Sequence, residues 1–466
     1  MTNTKKAQPM KVCLLVSGLQ GMLNAALELA SRLEKNKISV IVASSKDCAK
    51  KVHQEGFEFK FLPDISLVAK STKHTNKNKL GNWLNRHINK KNNQREIISS
   101  INHENNFEWI KNKKIDLVVA DCEMHEYILS LHAMNTKILL LSQWFSMWDQ
   151  DGLPVISSQI IPGRGFYGSR LGMQLSWWAF KSKRRFMFLK QHLVSAGTDR
   201  RSLLIRAAKD SGFPEDFSNS YLWPGPVTYK MLPVISMTAR EMEFPHQLRP
   251  NLVYVGPMVK LDRQEENAKD HVGRDINEIR QLAKEKKLKV IVSTSTTMKK
   301  EESPFNQRLL NAFKRKSDWF LILGPVKRDE ISLPEGTSDQ IALFSFLPLL
   351  SALSFADAVI HHGGIHTIHE SIKLQVPALV LSGNKHDQNG CAARLAYHKL
   401  AIRKQRDKIS EKDLVESLEK LLNSSCIKTS INDMSEIFNQ YQEDMILENT
   451  VRQLIEGKHD KLSLIP

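Results

Sequence analysis

Ala356-Asp-Ala-Val-Ile-His361-His362-Gly363-Gly364-Ile-His366-Thr367-Ile-His369-Glu370-Ser-Ile-Lys-Leu-Gln-Val-Pro377-Ala-Leu-Val-Leu-Ser382 is the stretch that decides the fold. Residues 358–361 form a short apolar run of the kind seen in strands buried on both faces. Residues 367–374 have helical spacing, and Val376-Pro377 ends that helix and opens the next strand. Gly363 and Gly364 stand at the junction, where a missing Cβ lets the backbone approach a ligand closely. The first N–H groups of the helix lack internal partners and lie at its positive dipole end. Strand, glycines and helix start together make a phosphate cradle. Thr367 and Glu370, three apart, share one face near the helix start. A hydroxyl there suits a phosphate oxygen, and a carboxylate one turn deeper suits ribose hydroxyls.

Working outward, short β-branched runs alternate with amphipathic stretches in both halves of the chain, the pattern of parallel βα units. The strand candidates are 12–16, 39–43, 57–61, 117–120 and 138–142, then 290–293, 319–323, 341–344, 358–361 and 378–382. Between the two sets lies Asn251-Leu-Val-Tyr-Val-Gly256-Pro257, followed by a polar run over 260–274. The expected fold class is α/β, with two Rossmann-like, doubly wound parallel-sheet domains facing a cleft. The expected division is 1–250, a linker over 251–275, 276–430, and C-terminal helices over 431–466 packing back on the first domain.

The 466 residues exceed what one core usually serves, which agrees with two domains. With 41% hydrophobic and 25% charged residues, collagen-like, disordered and disulfide-scaffold readings are excluded. Lys+Arg outnumber Asp+Glu by 67 to 50, a net charge of +17, which favours an anionic partner: a phosphorylated ligand, an acidic membrane surface or nucleic acid. The five cysteines are scattered with no Cys-x-x-Cys pair, so a reducing cytoplasm is expected. Lys5 and Lys6 precede an apolar stretch, but it is short and broken by Ser17-Gly18-Leu19-Gln20-Gly21, and reads as strand, turn and helix. No run of 18 apolar residues suggests a membrane span.

Two segments of the first half interrupt the alternation. Residues 71–95 hold seven Lys/Arg, several Asn and no acid, which reads as a solvated loop or, alternatively, a docking surface for an anionic acceptor. Residues 163–193 contain Trp177-Trp178-Ala-Phe180-Lys-Ser-Lys-Arg-Arg185-Phe-Met-Phe188. These fit a core helix with one basic face, or a segment lying on an anionic membrane.

The motif stretch resembles the nucleotide-sugar signature of family-one UDP-glycosyltransferases, which have the GT-B fold. The resemblance rests on His-Gly-Gly, a Thr and a Glu on the following helix, a Val-Pro, and then Asp387-Gln388. It implies that His362 and the Gly363-Gly364 backbone meet the α-phosphate and Thr367 the β-phosphate, with His366 in the same donor set. It further implies that Glu370 binds the ribose and Asp387-Gln388 the sugar hydroxyls. Phe346-Leu347-Pro348 falls where the family stacks the base. Ser293 and Thr296 lie in a run similar to the family's Ser-x-Gly-Ser, with Ser295 replacing the glycine, and Tyr254-Val-Gly256-Pro257 matches the element before the linker. The resemblance spans roughly 252–402, and the first half only by architecture.

The loop after the first strand lacks the Gly-x-Gly-x-x-Gly spacing of dinucleotide sites. In the family it faces the acceptor and reads Gly-His-x-Asn-Pro, with His as general base. Here it reads Gly21-Met22-Leu23-Asn24-Ala25, and Met22 cannot take a proton. The loop Asp121-Cys-Glu123-Met-His125 offers a replacement: His125 or Glu123 as base, with Asp121 as orienter or alternate base. The plainer reading makes Asp121 a helix cap and His125 a satisfied helix residue. The cluster His361, His362, His366, His369 and Glu370 lacks metal-ligand spacing, so no metal is expected. The expectation is a cytoplasmic, inverting hexosyltransferase using a UDP-linked sugar, with no cofactor beyond that co-substrate. Its acceptor would be a small molecule or a lipid, with peripheral contact to an anionic membrane and no nucleic-acid partner. The alternative is a catalytically silent GT-B protein that binds a nucleotide sugar or lipid.

Overall fold

The computed structural model describes residues 10–67, 79–99, 103–214, 229–265, 267–294, 303–327, 331–337, 339–383 and 387–457. The apolar runs become strands because a parallel sheet covered by helices must be apolar on both faces. The first sheet holds β1 (Lys11–Leu15), β2 (Ser39–Ser44), β3 (Glu58–Phe61), β4 (Leu117–Asp121), β5 (Ile138–Ser142), β6 (Val234–Ser236) and β7 (Leu252–Tyr254). The second holds β8 (Lys289–Thr294), β9 (Trp319–Gly324), β10 (Ile341–Leu343), β11 (Ala358–His361), β12 (Ala378–Ser382) and β13 (Ala401–Gln405). Their orders are β3-β2-β1-β4-β5-β6-β7 and β10-β9-β8-β11-β12-β13, and the paired strands are parallel. Each order reverses beside its first strand, which is where open α/β sheets leave a crevice at their carboxyl ends.

All ten expected strands are present, and three further ones complete the sheets. One of these changes the expected linker: Leu252–Tyr254 is an edge strand of the first sheet, because Val253 and its neighbours pair with β6. Residues 270–274 already belong with the second sheet, since His271 N–H reaches Leu343 O at 3.0 Å and Arg274 Nη2 reaches Ile341 O at 2.9 Å. The expected loop at 71–95 is also corrected. Its described part is helical, over Lys79–Ile88 and continuing from Lys90, because Trp83, Leu84, His87 and Ile88 recur at helical spacing despite the intervening Asn and Arg.

A buried ion pair joins the two sheets. Glu243, after β6, accepts from Arg394 Nε at 2.7 Å and Nη2 at 2.9 Å, and neither side chain is more than 1% exposed. Phe145 and Phe244 flank the guanidinium, 4.9 and 4.8 Å from it. A bidentate guanidinium–carboxylate pair with aromatic faces around it satisfies both charges away from water. The segment after β5 adds polar links to the second sheet, with Gln159 Nε2 on Asn389 Oδ1 at 3.3 Å and Asn389 Nδ2 on Ser157 O at 3.3 Å. The last helix, Ile446–Ile455, lies against the first sheet's side, where Arg452 Nη2 donates to Asn36 O at 2.7 Å. Among the described residues no helix is long and apolar enough to cross a membrane.

Candidate functional site

The cradle forms where β11 ends. His361 closes the strand fully buried, and its Nδ1 accepts the Gly363 N–H at 3.0 Å, so the neutral ring carries its proton on Nε2. Burial, assisted by neighbouring His362, pushes this imidazole down to about 3 and keeps it neutral. Gly363 has φ +96°, a left-handed conformation suited to glycine, and a Cβ there would meet Gln388 O at 3.1 Å. The glycine thus lets Asp387-Gln388 lie against the cradle. Gly364 is the N-cap, the helix Ile365–Lys373 starts directly after it, and Thr367 stands half-buried in its first turn. Beside this start opens a cleft lined by Ser293 and Thr294 at the end of β8, Gly324 and Pro325 at the end of β9, His361, His362 and Arg406.

Glu370 lies one turn deeper and is buried. Its Oε1 accepts from Arg263 Nη1, while Arg263 Nη2 lies 3.1 Å from Glu265 Oε1. Glu265 in turn accepts the backbone N–H groups of Leu350 and Ser351 at 3.0 and 2.9 Å. One guanidinium therefore ties Glu370 to the helix that starts just after Phe346-Leu347-Pro348. Burial raises the Glu370 carboxyl above its ordinary value against the pull of Arg263. Leu347 packs on the end of β9, where a Cβ on Gly324 would meet it at 3.0 Å, and Phe346 is partly exposed.

The first sheet brings carboxylates to the opposite side. Asp121 ends β4 with its side chain buried, and its Oδ1 accepts the Glu123 N–H at 3.1 Å. Burial raises the Asp121 carboxyl from its ordinary value, opposed by the hydrogen bond from the Glu123 N–H and by nearby Ser17. Glu123 is half-buried and pushed up to about 7, first by burial and then by the charge of Asp121. Asp387, after the strand β12, adds to that rise, while Arg200 and nearby Trp144 oppose it. Glu123 thus feels charges from both halves of the chain. His366 bridges the sides: its Nε2 is 2.8 Å from Gln143 Oε1, and its ring lies so near Gly21 that a Cβ there would meet Cδ2 at 2.5 Å.

Comparison with solved structures matches nearly the whole chain to two-domain sugar-transfer enzymes. The glycotransferase of kitacinnamycin aligns over 96% of this chain and 100% of its own, with TM-score 0.66 and 15% identity. The calicheamicin glycosyltransferase CalG4 aligns over 97% and 99%, with TM-score 0.61 and 14% identity. The fold is GT-B. The glycosyltransferase VinC, solved with DTDP, aligns over 98% of this chain and 100% of its own, with TM-score 0.57 and 16% identity. By sequence, residues 297–446 match the glycosyltransferase family 28 C-terminal domain. The chain is 24% identical over 181 residues to the uncharacterized UDP-glucosyltransferase YdhE of Bacillus subtilis (strain 168). That alignment covers 39% of this chain and 45% of YdhE, so it spans under half of that relative's length.

In this GT-B chain the expected donor residues His362, Gly363, Gly364, His366, Thr367, Glu370, Asp387 and Gln388 gather around one helix start. Ser293 lines the adjoining cleft, and Thr296 lies outside the described residues. Two expectations are corrected. The acceptor loop Gly21, Met22 and Asn24 is the first turn of the helix Gln20–Lys35, and its helical rotation turns Met22 into the core at 1% exposure. Asn24 Oδ1 accepts from Lys51 Nζ. His125 is buried beneath Tyr229, with Nδ1 3.2 Å from its hydroxyl, because the helix His125–Ala133 rotates it away from Glu123. Burial pushes it down to about 3. Arg263, Glu265, Gln143 and Arg406 were not anticipated, since none lies in a motif. Among the described residues, no group of three or more His, Cys, Asp or Glu could hold a metal ion.

Proposed function

We propose that this GT-B chain is an inverting glycosyltransferase that moves a hexose from a nucleoside diphosphate donor, UDP-linked, to a small-molecule or lipid acceptor. The observation that carries this reading is the arrangement of Glu123 opposite Asp387 and the Gly363-Gly364 cradle. In the proposed reaction the acceptor hydroxyl attacks the anomeric carbon, forming the new C–O bond as the bond to the diphosphate breaks. Glu123 takes the hydroxyl proton, and an acid group poised near 7 suits that task. Negative charge developing on the diphosphate is met by the first N–H groups of the helix Ile365–Lys373, His362 and Thr367. Glu370 would receive the ribose, with Arg263 holding its carboxylate in place. The curated relative's name, a UDP-glucosyltransferase, supports the uridine donor; the VinC complex with DTDP makes a thymidine donor the competing case.

The alternative, a silent GT-B protein that binds a nucleotide sugar or lipid, draws on Met22 at the base position of the family. Incubating the purified chain with UDP-hexoses and a fractionated cell extract decides between them. Acceptor-dependent release of UDP supports transfer. A chain that UDP protects against melting but that releases none with any fraction is a binding protein. Donor choice is read in the same assay by comparing UDP with dTDP sugars, since a bound nucleotide raises the melting temperature by mass action.

A further inference from the structure

The helix Arg170–Val194 carries an apolar stripe that faces solvent. Leu171, Leu175, Trp178, Phe186, Leu189 and Leu193 recur on one helical face and are 59, 48, 69, 71, 56 and 48% exposed. The opposite face is anchored: Met173, Trp177 and Phe188 are buried, and Trp177 Nε1 donates to Leu153 O at 2.7 Å. The stripe is thus displayed by a helix fixed in the fold. It is extended at its C-terminal end by the helix Lys79–Ile88, where Trp83 Nε1 donates to Leu193 O at 2.9 Å and Ile88 is 80% exposed. A contiguous apolar surface of this kind marks a contact site.

Charge selects the partner. The helix contains six Lys/Arg and no Asp or Glu. On the helical wheel, Arg185 borders one side of the stripe and Lys183 and Lys190 the other, all three exposed. A second copy of the chain would bring the same cations against each other, and like charges at an interface are costly. A polyanion such as nucleic acid would leave the apolar stripe in water. An anionic bilayer satisfies both parts, taking the stripe into the headgroup–acyl boundary and the flanks onto lipid phosphates.

We propose that the Arg170–Val194 face docks this protein on a lipid surface rich in anionic headgroups. This goes beyond glycosyl transfer and does not depend on it. The docking helix leads through the Asp199 cap into the helix Arg200–Asp210, whose Arg200 grips Glu126 at 2.8 Å beside the Glu123 loop. The face is therefore joined, through one further helix, to the half of the chain that carries the carboxylates.

The test is co-sedimentation of the full chain with phosphatidylcholine vesicles, with and without phosphatidylglycerol. Binding is expected to the anionic vesicles and to weaken as salt is added. Trp178→Ser with Phe186→Ser, and separately Lys183→Glu with Lys190→Glu, should each weaken partition by roughly tenfold or more. Both variants should melt within a few degrees of the parent, since they alter exposed positions. A parent chain that stays in the supernatant at low salt overturns the proposal, as do folded variants that bind undiminished. A parent dimer that the same substitutions split, with no vesicle binding, assigns the face to self-association instead.

Discussion

The carboxyl ends of the two sheets are built on opposite plans. At the end of β11, the glycine turn leads into the helix Ile365–Lys373, whose first N–H groups have no partners within the helix, and a buried carboxylate is held by a guanidinium, so the surface is set to receive negative charge. At the end of β4, two carboxylates lie close together where burial, and for Glu123 the charge of Asp121 as well, favour the protonated form. In the proposed reaction one side meets the leaving diphosphate and the other takes the proton. The difference teaches that the proposed donor side would act largely through backbone geometry, and the proposed acceptor side through the solvation of two side chains. Damage to each should therefore read out differently.

The largest effect is expected on the acceptor side. Glu123→Gln should lower turnover by roughly 10²–10⁴ with donor affinity unchanged. The parent rate should rise with pH through about 7, as the Glu123 carboxylate forms, and the Gln variant should lose that rise. Steady-state kinetics across pH 5 to 9 check both points, and full turnover in the variant would break the comparison.

On the donor side, Glu370→Ala should instead weaken UDP binding by about 1–3 kcal/mol, measured by calorimetric titration. Arg263→Ala should also weaken it, because the buried carboxylate would lose its cation. If removing Arg263 tightens UDP binding, the guanidinium occupies the ribose place rather than supporting it.

A third outcome concerns the position where family-one enzymes carry their base. Met22→His should cost about 1–3 kcal/mol of stability, because it buries a polar ring in an apolar core. It should add nothing to the rate. A gain in turnover would mean that the first turn of the helix Gln20–Lys35 can rotate toward the acceptor.

The smallest effect is on stability. The Glu123 carboxyl is raised from 4.5 to about 7 in the fold, so both states are protonated below 4.5 and the native state is penalised as pH rises through 7. Glu123→Gln should therefore melt above the parent at pH 8, with the gap closing toward pH 4.5. Differential scanning fluorimetry at the two pH values checks it, and a lower melting temperature at pH 8 would sink the solvation argument.

The strand, glycine turn and helix around Gly363 were readable because their parts are contiguous. His362, Gly363, Gly364, Thr367 and Glu370 fall within one strand–turn–helix, and their spacing alone carries the geometry. Arg263 reaches Glu370 across 107 positions from a polar run, and ion-pair partners at that distance leave no periodic trace. The loop after β4 shows a finer limit. Glu123 and His125 are two residues apart and equally plausible as bases in sequence, yet the helix that begins at His125 turns one inward and leaves the other at the cleft. Met22 was hidden by the same cause, a helix starting at Gln20 where a loop was expected. Among strands, long apolar runs such as Ile138–Ser142 were plain, whereas β6 and β7 have three residues each and β13 carries Arg403 and Lys404 on an edge. Short and charged strands do not stand out from their surroundings.

The pair Arg394–Glu243 has a consequence for motion. It is sealed between the sheets, so the first ångströms of separation would strand a cation and an anion before water could reach either. Opening is therefore resisted most at its outset, and slow hinge swings should be rarer than an all-or-none parting. The same resistance couples the two halves when heated, and a calorimeter should record one endotherm for the intact chain and a broader or divided one for Arg394→Met.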